Sequence, residues 1–147
     1  MAGGEANGDE GHCMGLVGPV RSGGAEGVVG EFWRLMATND FGSVAAVLAE
    51  DLVVEWPQSG ERFRGPRAFA QVNSEYPTAG RWAFTVNRVV ACGEQVVTQV
   101  SVTDGVQSAE PISFFTVRAG RIVHLVEYWP EPFAPPAHRR HLAEPMG

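Results

Sequence analysis

Lysine is absent from this chain of 147 residues, and all eleven basic residues are arginines. They are scattered along a sequence of net charge −6 and pI about 5.1. An acidic chain without a basic stripe cannot neutralise a run of phosphates, so nucleic acid is not an expected partner. The same balance argues against an anionic membrane surface, and no apolar run reaches the length of a bilayer span. Cysteine is scarce. Cys13 falls in a glycine-rich stretch and Cys92 at the end of an alternating segment, so no disulfide framework is expected, and a reducing, cytoplasmic location is the simpler reading. The start carries Glu5, Asp9 and Glu10 where a secretory signal would carry basic and then apolar residues. His12, His124, His138 and His141 show no metal-ligand spacing. No serine sits in a nucleophile elbow, and no glycine-rich phosphate cradle is present. Neither metal nor cofactor is expected, which leaves a small neutral or apolar molecule as the partner.

The hydrophobic fraction of 44% and charged fraction of 19% are those of a globular domain. At this length one domain buries roughly 70% of its unfolded surface and needs no metal or disulfide to be stable. Residues 1–24 are rich in glycine and lack apolar periodicity, and read as a disordered leader. The domain is expected over 25–138, followed by a tail at 139–147.

Val29, Phe32, Trp33 and Met36 recur at the spacing of a helix lying on a core. Asn39-Asp40 supplies a stop and a new N-cap, and a shorter helix follows with Phe41, Val44, Val47 and Leu48 inward. In the strand at 52–57, Leu52, Val54 and Trp56 alternate with Val53 and Glu55. A turn at Ser59-Gly60 leads to a short return strand at 62–64. Pro66 then opens a third helix with Phe69, Val72, Asn73 and Tyr76 on one face. The remainder alternates as strands at 81–91, 95–103, 112–117 and 121–129, with Ala119-Gly120 as a hairpin turn. Helices followed by hairpin-linked strands mean α+β, with the helices on one face of the sheet.

This element order, with VVEWPQSGERFRG at 53–65 and GRIVHLVEYWPEPFAPP at 120–136, resembles the SnoaL-like branch of the nuclear transport factor 2-like superfamily. The resemblance covers about residues 25–138. It implies a cone-shaped α+β barrel in which three N-terminal helices pack over a curved, mainly antiparallel sheet. It also implies a homodimer through the outer sheet face, and a pocket used by polyketide cyclases, ketosteroid isomerases or epoxide hydrolases. The isomerases' catalytic aspartate, which precedes a proline, matches Trp56. Their second aspartic acid matches Ser113, and their helix-one tyrosine falls near Phe32 and Trp33. All three groups are missing, which disfavours that mechanism. The Arg-x-Asp pair of limonene epoxide hydrolases is absent from 96–103 and 112–117. A SnoaL-type cyclase needs less: one acidic residue among apolar walls.

Registering the last strand on this resemblance turns Leu125, Glu127 and Trp129 towards the pocket and His124, Val126 and Tyr128 outward. Glu127 is then the candidate general acid/base, its pKa raised by desolvation; the alternative is an ion pair with Arg64 or Arg88. Asn73 either hydrogen-bonds a ligand carbonyl or caps a neighbouring element. Tyr76 places its hydroxyl at the mouth or packs at the rim. Trp56, Trp82, Phe84, Phe115 and Trp129 are the expected walls, suited to a flat apolar ligand. Gln58 to Glu61 reads as a turn, with Glu61 and Arg64 as a local ion pair. On the outer face, the nearly uncharged row Val97, Gln99, Ser101 and Thr103 suits a contact between copies. Three functions stand: a cofactor-free enzyme on a small carbonyl compound, a non-catalytic binder, and a dimeric interaction module with a filled pocket.

Overall fold

The computed structural model describes residues 24–147. The expected leader, except for Gly24, which opens the first helix, therefore lies outside the described residues, as does Cys13, on which the reading of the two cysteines depends. Helix α1 (Gly24–Met36) buries Val29, Phe32, Trp33 and Met36, the four residues of the expected stripe. A 3₁₀ helix follows at Phe41–Val47, and α2 runs over Gly65–Ser74. The strands are β1 (Leu48–Trp56), β2 (Glu61–Arg64), β3 (Ala83–Cys92), β4 (Gln95–Thr103), β5 (Ser108–Ala109), β6 (Ile112–Arg118) and β7 (Arg121–Tyr128). They form one sheet in the order β2-β1-β7-β6-β4-β3, with β5 paired to β4. All pairs are antiparallel except β1 with β7. The curved sheet stays open, its edges being β2 and β3, and the helices lie over one face: a cone-shaped α+β fold.

The core sits between that face and the helices. Phe32 is its centre, with ring centroids 4.9 Å from Trp33, 5.0 Å from Phe115 and 5.7 Å from Phe69. Val96, Thr98, Val100 and Val102 all point into it from β4, as alternation requires. Trp33 Nε1 donates to Thr98 Oγ1 at 3.2 Å, so the one polar group on that row has a partner. No helix among the described residues is long and apolar enough to cross a membrane.

Boundaries and a cap differ from the sequence reading, and α2 ends at Ser74, so Tyr76 lies beyond the helix and not on its face. β1 begins at Leu48, because Leu48 pairs with Ile122 of β7 before a bulge and the pairing resumes at Val53. The residue is inward in a strand instead of a helix. Asp40 makes no side-chain cap; the work falls to Asn39, in the left-handed conformation at φ 62°. Asparagine tolerates this backbone better than other side chains. Its carboxamide then bridges to Trp82, with Nδ2 donating to the Trp82 carbonyl and Oδ1 accepting from the Trp82 N–H, both at 2.8 Å. The end of α1 is thus fastened to the segment entering β3, and the Trp82 indole is set in place.

Asn39→Gly keeps the backbone and removes the bridge, whereas Asn39→Ala removes the bridge and adds strain. At about 1 kcal/mol for each of the two hydrogen bonds and 1–2 kcal/mol for the left-handed backbone, Ala is expected to cost more than Gly by roughly 1 kcal/mol. Urea unfolding of both variants checks the order; an alanine variant as stable as wild type would show that the bridge contributes nothing.

Candidate functional site

The strand ends build the site. Trp56 and Trp129 each precede a proline, Pro57 and Pro130, which bars them from the helical region and keeps their backbones extended. β1 and β7 run parallel in the register Val54–Leu125 and Glu55–Val126, and the next step along the same face sets Trp56 beside Glu127. The two indoles meet edge to face, with centroids 5.9 Å apart at 77°. Trp56 also stacks edgewise on Phe63 of β2 at 4.8 Å.

Glu127 is 6% exposed. Its Oε1 accepts from Trp56 Nε1 at 3.1 Å, and its Oε2 accepts from the Ser113 hydroxyl at 3.0 Å. Ser113 is its antiparallel partner on β6. Among the described residues no arginine pairs with it, so the expected alternative of an ion pair with Arg64 or Arg88 is replaced by two neutral donors. The predicted ion pair of Glu61 with Arg64 is also absent: Glu61 accepts from Ser59 Oγ at 2.6 Å, and Arg62 pairs with Glu55.

A cavity of about 80 Å³ opens beside Glu127, small against the roughly 300–1,000 Å³ of common ligand pockets. Trp56, Asn73, Tyr76, Trp82, Phe84, Glu127 and Trp129 all line it. Phe115 does not. It is fully buried, with Phe32 and Trp33 stacked between it and the open space, so the inward-facing residue expected as a wall is core beneath the site. Trp33 and Met36 of α1, Phe41 and Phe69 take that place as lining. Their periodicity reads only as core, because a wall and a core residue share the same pattern.

The polar groups are few. Asn73 Nδ2 donates to the Phe69 carbonyl at 2.8 Å, one turn back in α2. One amide hydrogen is thereby used within the helix, while the second hydrogen and Oδ1 have no protein partner among the described residues. Tyr76, 49% exposed, stands at the mouth with its ring 6.0 Å from that of Trp82. Gln107, Ser108 and Ala109 complete the rim. Gln107 is held by Asp104, whose carboxylate accepts from the Ala79, Val106 and Gln107 amides and the Gln107 side chain. These donors, led by the Ala79 N–H, pull the Asp104 carboxyl well below the ordinary range. Gln58, read as a turn residue, accepts a hydrogen bond through Oε1 from the Trp129 backbone N–H and so ties the β1–β2 turn to the end of β7. Trp129 Nε1 is buried and has no hydrogen-bond partner among the described residues, a condition that costs about 1–3 kcal/mol. No group of three potential metal ligands occurs among the described residues.

Burial raises the pKa of Glu127, opposed in part by the hydrogen bonds from Trp56 and Ser113. Trp Nε1 can only donate, so Oε1 is an acceptor in either charge state and a proton sits on Oε2. The folded protein holds that proton more tightly than the unfolded chain, in which glutamate titrates near about 4.3. The stability gained is complete below that value and is lost as pH rises through the folded-state pKa. Glu127→Gln imitates the acid, with the amide oxygen facing Trp56 and the NH₂ facing Ser113, and is expected to abolish the decline. Thermal midpoints of wild type and variant should differ least near about pH 4.5 and separate towards about pH 8 in favour of glutamine. Parallel curves would mean that folding does not favour the protonated acid.

The sequence matches the model of the SnoaL-like domain over residues 29–125, well over half of the chain. A proposed ketosteroid isomerase from Kribbella flavida DSM 17836 is 31% identical, with a TM-score of 0.75 over 82% of this chain and 88% of its own. An NTF-2 like protein of unknown function from Burkholderia xenovorans LB400 is 27% identical, with a TM-score of 0.68 over 84% and 95%. An LEH-like epoxide hydrolase from M. tuberculosis is 26% identical, with a TM-score of 0.57 over 70% and 80%. No curated protein matches. Family match and fold agree, and the chain belongs to the SnoaL-like family.

Proposed function

We propose that the protein is a cofactor-free enzyme that takes a small apolar carbonyl compound, polyketide-, steroid- or terpenoid-like, and moves a proton on it in an enolisation, cyclisation or dehydration. The observation that carries this reading is Glu127. Among the described residues it is the one carboxyl group lining the cavity and has no counter-ion, and burial raises its pKa. A carboxyl tuned upward can both take and return a proton near neutral pH. Aromatic walls exclude water and leave the substrate little else to exchange protons with. The isomerase description of the Kribbella relative supports chemistry beside a carbonyl. The positions of the isomerase acids here hold Trp56 and Ser113, so the single carboxyl must serve alone. The narrow cavity favours a second reading, binding without turnover, over larger polyketide substrates.

Proton NMR in D₂O on a panel of cyclic ketones separates the two. Enzyme-dependent deuteration of the α-carbon is expected, falling by about 10²–10⁴-fold in Glu127→Gln. Ligand-induced thermal shifts with no deuteration would favour the binder.

The proposed protein partner is a second copy of the chain on the outer sheet face. The registers align Val90, Val97, Phe114 and Val126 across four strands. Val90 is 65% and Phe114 43% exposed. The row is more apolar than β4 alone suggests, and it ends at Glu55, which pairs with Arg62 and His124, giving an apolar centre and a polar rim. Val90→Glu with Phe114→Ser is expected to halve the mass found by sedimentation equilibrium while the far-ultraviolet spectrum stays unchanged. A wild type that sediments as a monomer at micromolar concentration would remove this partner.

A further inference from the structure

Four tryptophans line the cavity, and the indole N–H groups of two of them, Trp56 and Trp129, have different fates. That of Trp56 is committed to Glu127. That of Trp129 is buried without a partner among the described residues, on a side chain lining the same cavity. The ring is not free to swing away. Pro130 restricts its backbone to extended geometry, Gln58 accepts from its main-chain N–H, and the Trp56 indole packs against it at 77°. Buried polar atoms in native proteins are almost always satisfied, and a fixed exception asks for an acceptor that the protein itself does not supply. Indole nitrogen offers one donor and no acceptor, so it discriminates sharply: an oxygen lone pair satisfies it, while a hydrocarbon, hydroxyl hydrogen or ammonium does not.

We propose that the Trp129 indole N–H is the anchor for the oxygen of a ligand's carbonyl group, and that it makes the cavity selective for oxygenated rings over hydrocarbons of the same shape. Resting on the reading of Glu127 as acid/base, this names the group that meets the substrate's oxygen. Trp129 and Glu127 lie two residues apart on one face, about 6–7 Å along an extended chain. A ring-sized molecule spans that distance, with its carbonyl oxygen on Trp129 and an adjacent carbon towards Glu127. If Glu127 removes a proton from that carbon, the C–H electrons pass into the new C=C bond and the carbonyl π electrons move onto oxygen. The developing negative charge is then on the oxygen that accepts from the Trp129 N–H. Returning the proton to carbon or oxygen restores the balance without an external reductant or oxidant. Asn73 also lines the cavity, and its Oδ1 can accept from a hydroxyl on the same ring. The two groups together favour a hydroxylated cyclic ketone.

The test uses full-length protein labelled with ¹⁵N-tryptophan, whose four tryptophans give four indole N–H signals. Trp129→Phe and Trp56→Phe assign two of them. The probes are 2-cyclohexen-1-one and cyclohexene, matched in shape and differing in the oxygen. Titration with the ketone is expected to move the Trp129 signal downfield and slow its exchange with water, while the hydrocarbon leaves it in place. In Trp129→Phe the ketone-over-hydrocarbon preference in binding should fall by about tenfold. A Trp129 signal unmoved by the ketone up to its solubility, or a preference unchanged in Trp129→Phe, overturns the proposal. A nuclear Overhauser effect from a long-lived water to that signal before any probe is added would identify an internal water as the partner and overturn it equally. The two readings fail separately. Deuteration that survives in Glu127→Gln, with the Trp129 shift intact, removes the acid/base assignment and leaves the anchor. Deuteration lost in Glu127→Gln with Trp129 unmoved does the reverse.

Discussion

A carboxyl group without a counter-ion, set into the apolar face of a sheet, constrains everything around it. Glu127 can occupy that place because the strands on either side each turn a donor towards it: Trp56 from the parallel neighbour β1 and Ser113 from the antiparallel neighbour β6. Neutral donors soften the desolvation of the charged form without cancelling it, whereas a buried arginine would have fixed the charge and lowered the pKa. The site can therefore hold or release a proton. It depends on register in three strands at once. A slip of one residue in β7 would turn Glu127 to the outer face and bring Val126 or Tyr128 to the cavity.

The same row continues through the sheet. Ser113 pairs with Thr98 of β4, and Thr98 accepts from Trp33 of α1. A line of polar groups thus crosses the core, with an indole at each end and the hydroxyls and carboxyl buried between. The resemblance to the isomerases gives this line its meaning. The two positions where those enzymes carry acids here carry groups that donate to one relocated carboxyl. Loss of the isomerase residues is thus not an erosion of the pocket's polarity. Their positions still converge on a single titratable group, Glu127.

Much of this was legible in the sequence, for identifiable reasons. Strict alternation in β4 and β7 reports which side chains share a face, and the family resemblance supplied which face of β7 is inward; the structure has Leu125 in the core and Glu127 and Trp129 beside the cavity. The stripe Val29, Phe32, Trp33 and Met36 fixed α1 in the same way. Alternation cannot report depth, however. Phe115 and Phe84 both face the helices, yet Phe32 and Trp33 cover the first and leave the second beside open space. Hydrogen bonds between distant segments were also silent. Asn39 to Trp82 and Gln58 to Trp129 each join loops far apart in sequence, and an asparagine or glutamine in a turn carries the same local signal whether its side chain meets water or another loop.

The two Trp-Pro pairs show how a local rule becomes a functional one. Each proline ends a strand and holds the preceding tryptophan extended, and the parallel pairing of β1 with β7 brings the two ends together. Oε1 of the carboxyl between them accepts from Trp56 and Oε2 from Ser113, while the Trp129 N–H reaches neither oxygen and has no partner among the described residues. The second N–H is left over by the same geometry that satisfies the first. Substituting phenylalanine would have avoided the unpaired donor while keeping most of the aromatic wall, so tryptophan at this position carries a cost in the empty protein that packing alone does not require. A ligand oxygen entering the cavity recovers that cost. Binding an oxygenated ring is then favoured partly because the empty site is less stable than it would otherwise be.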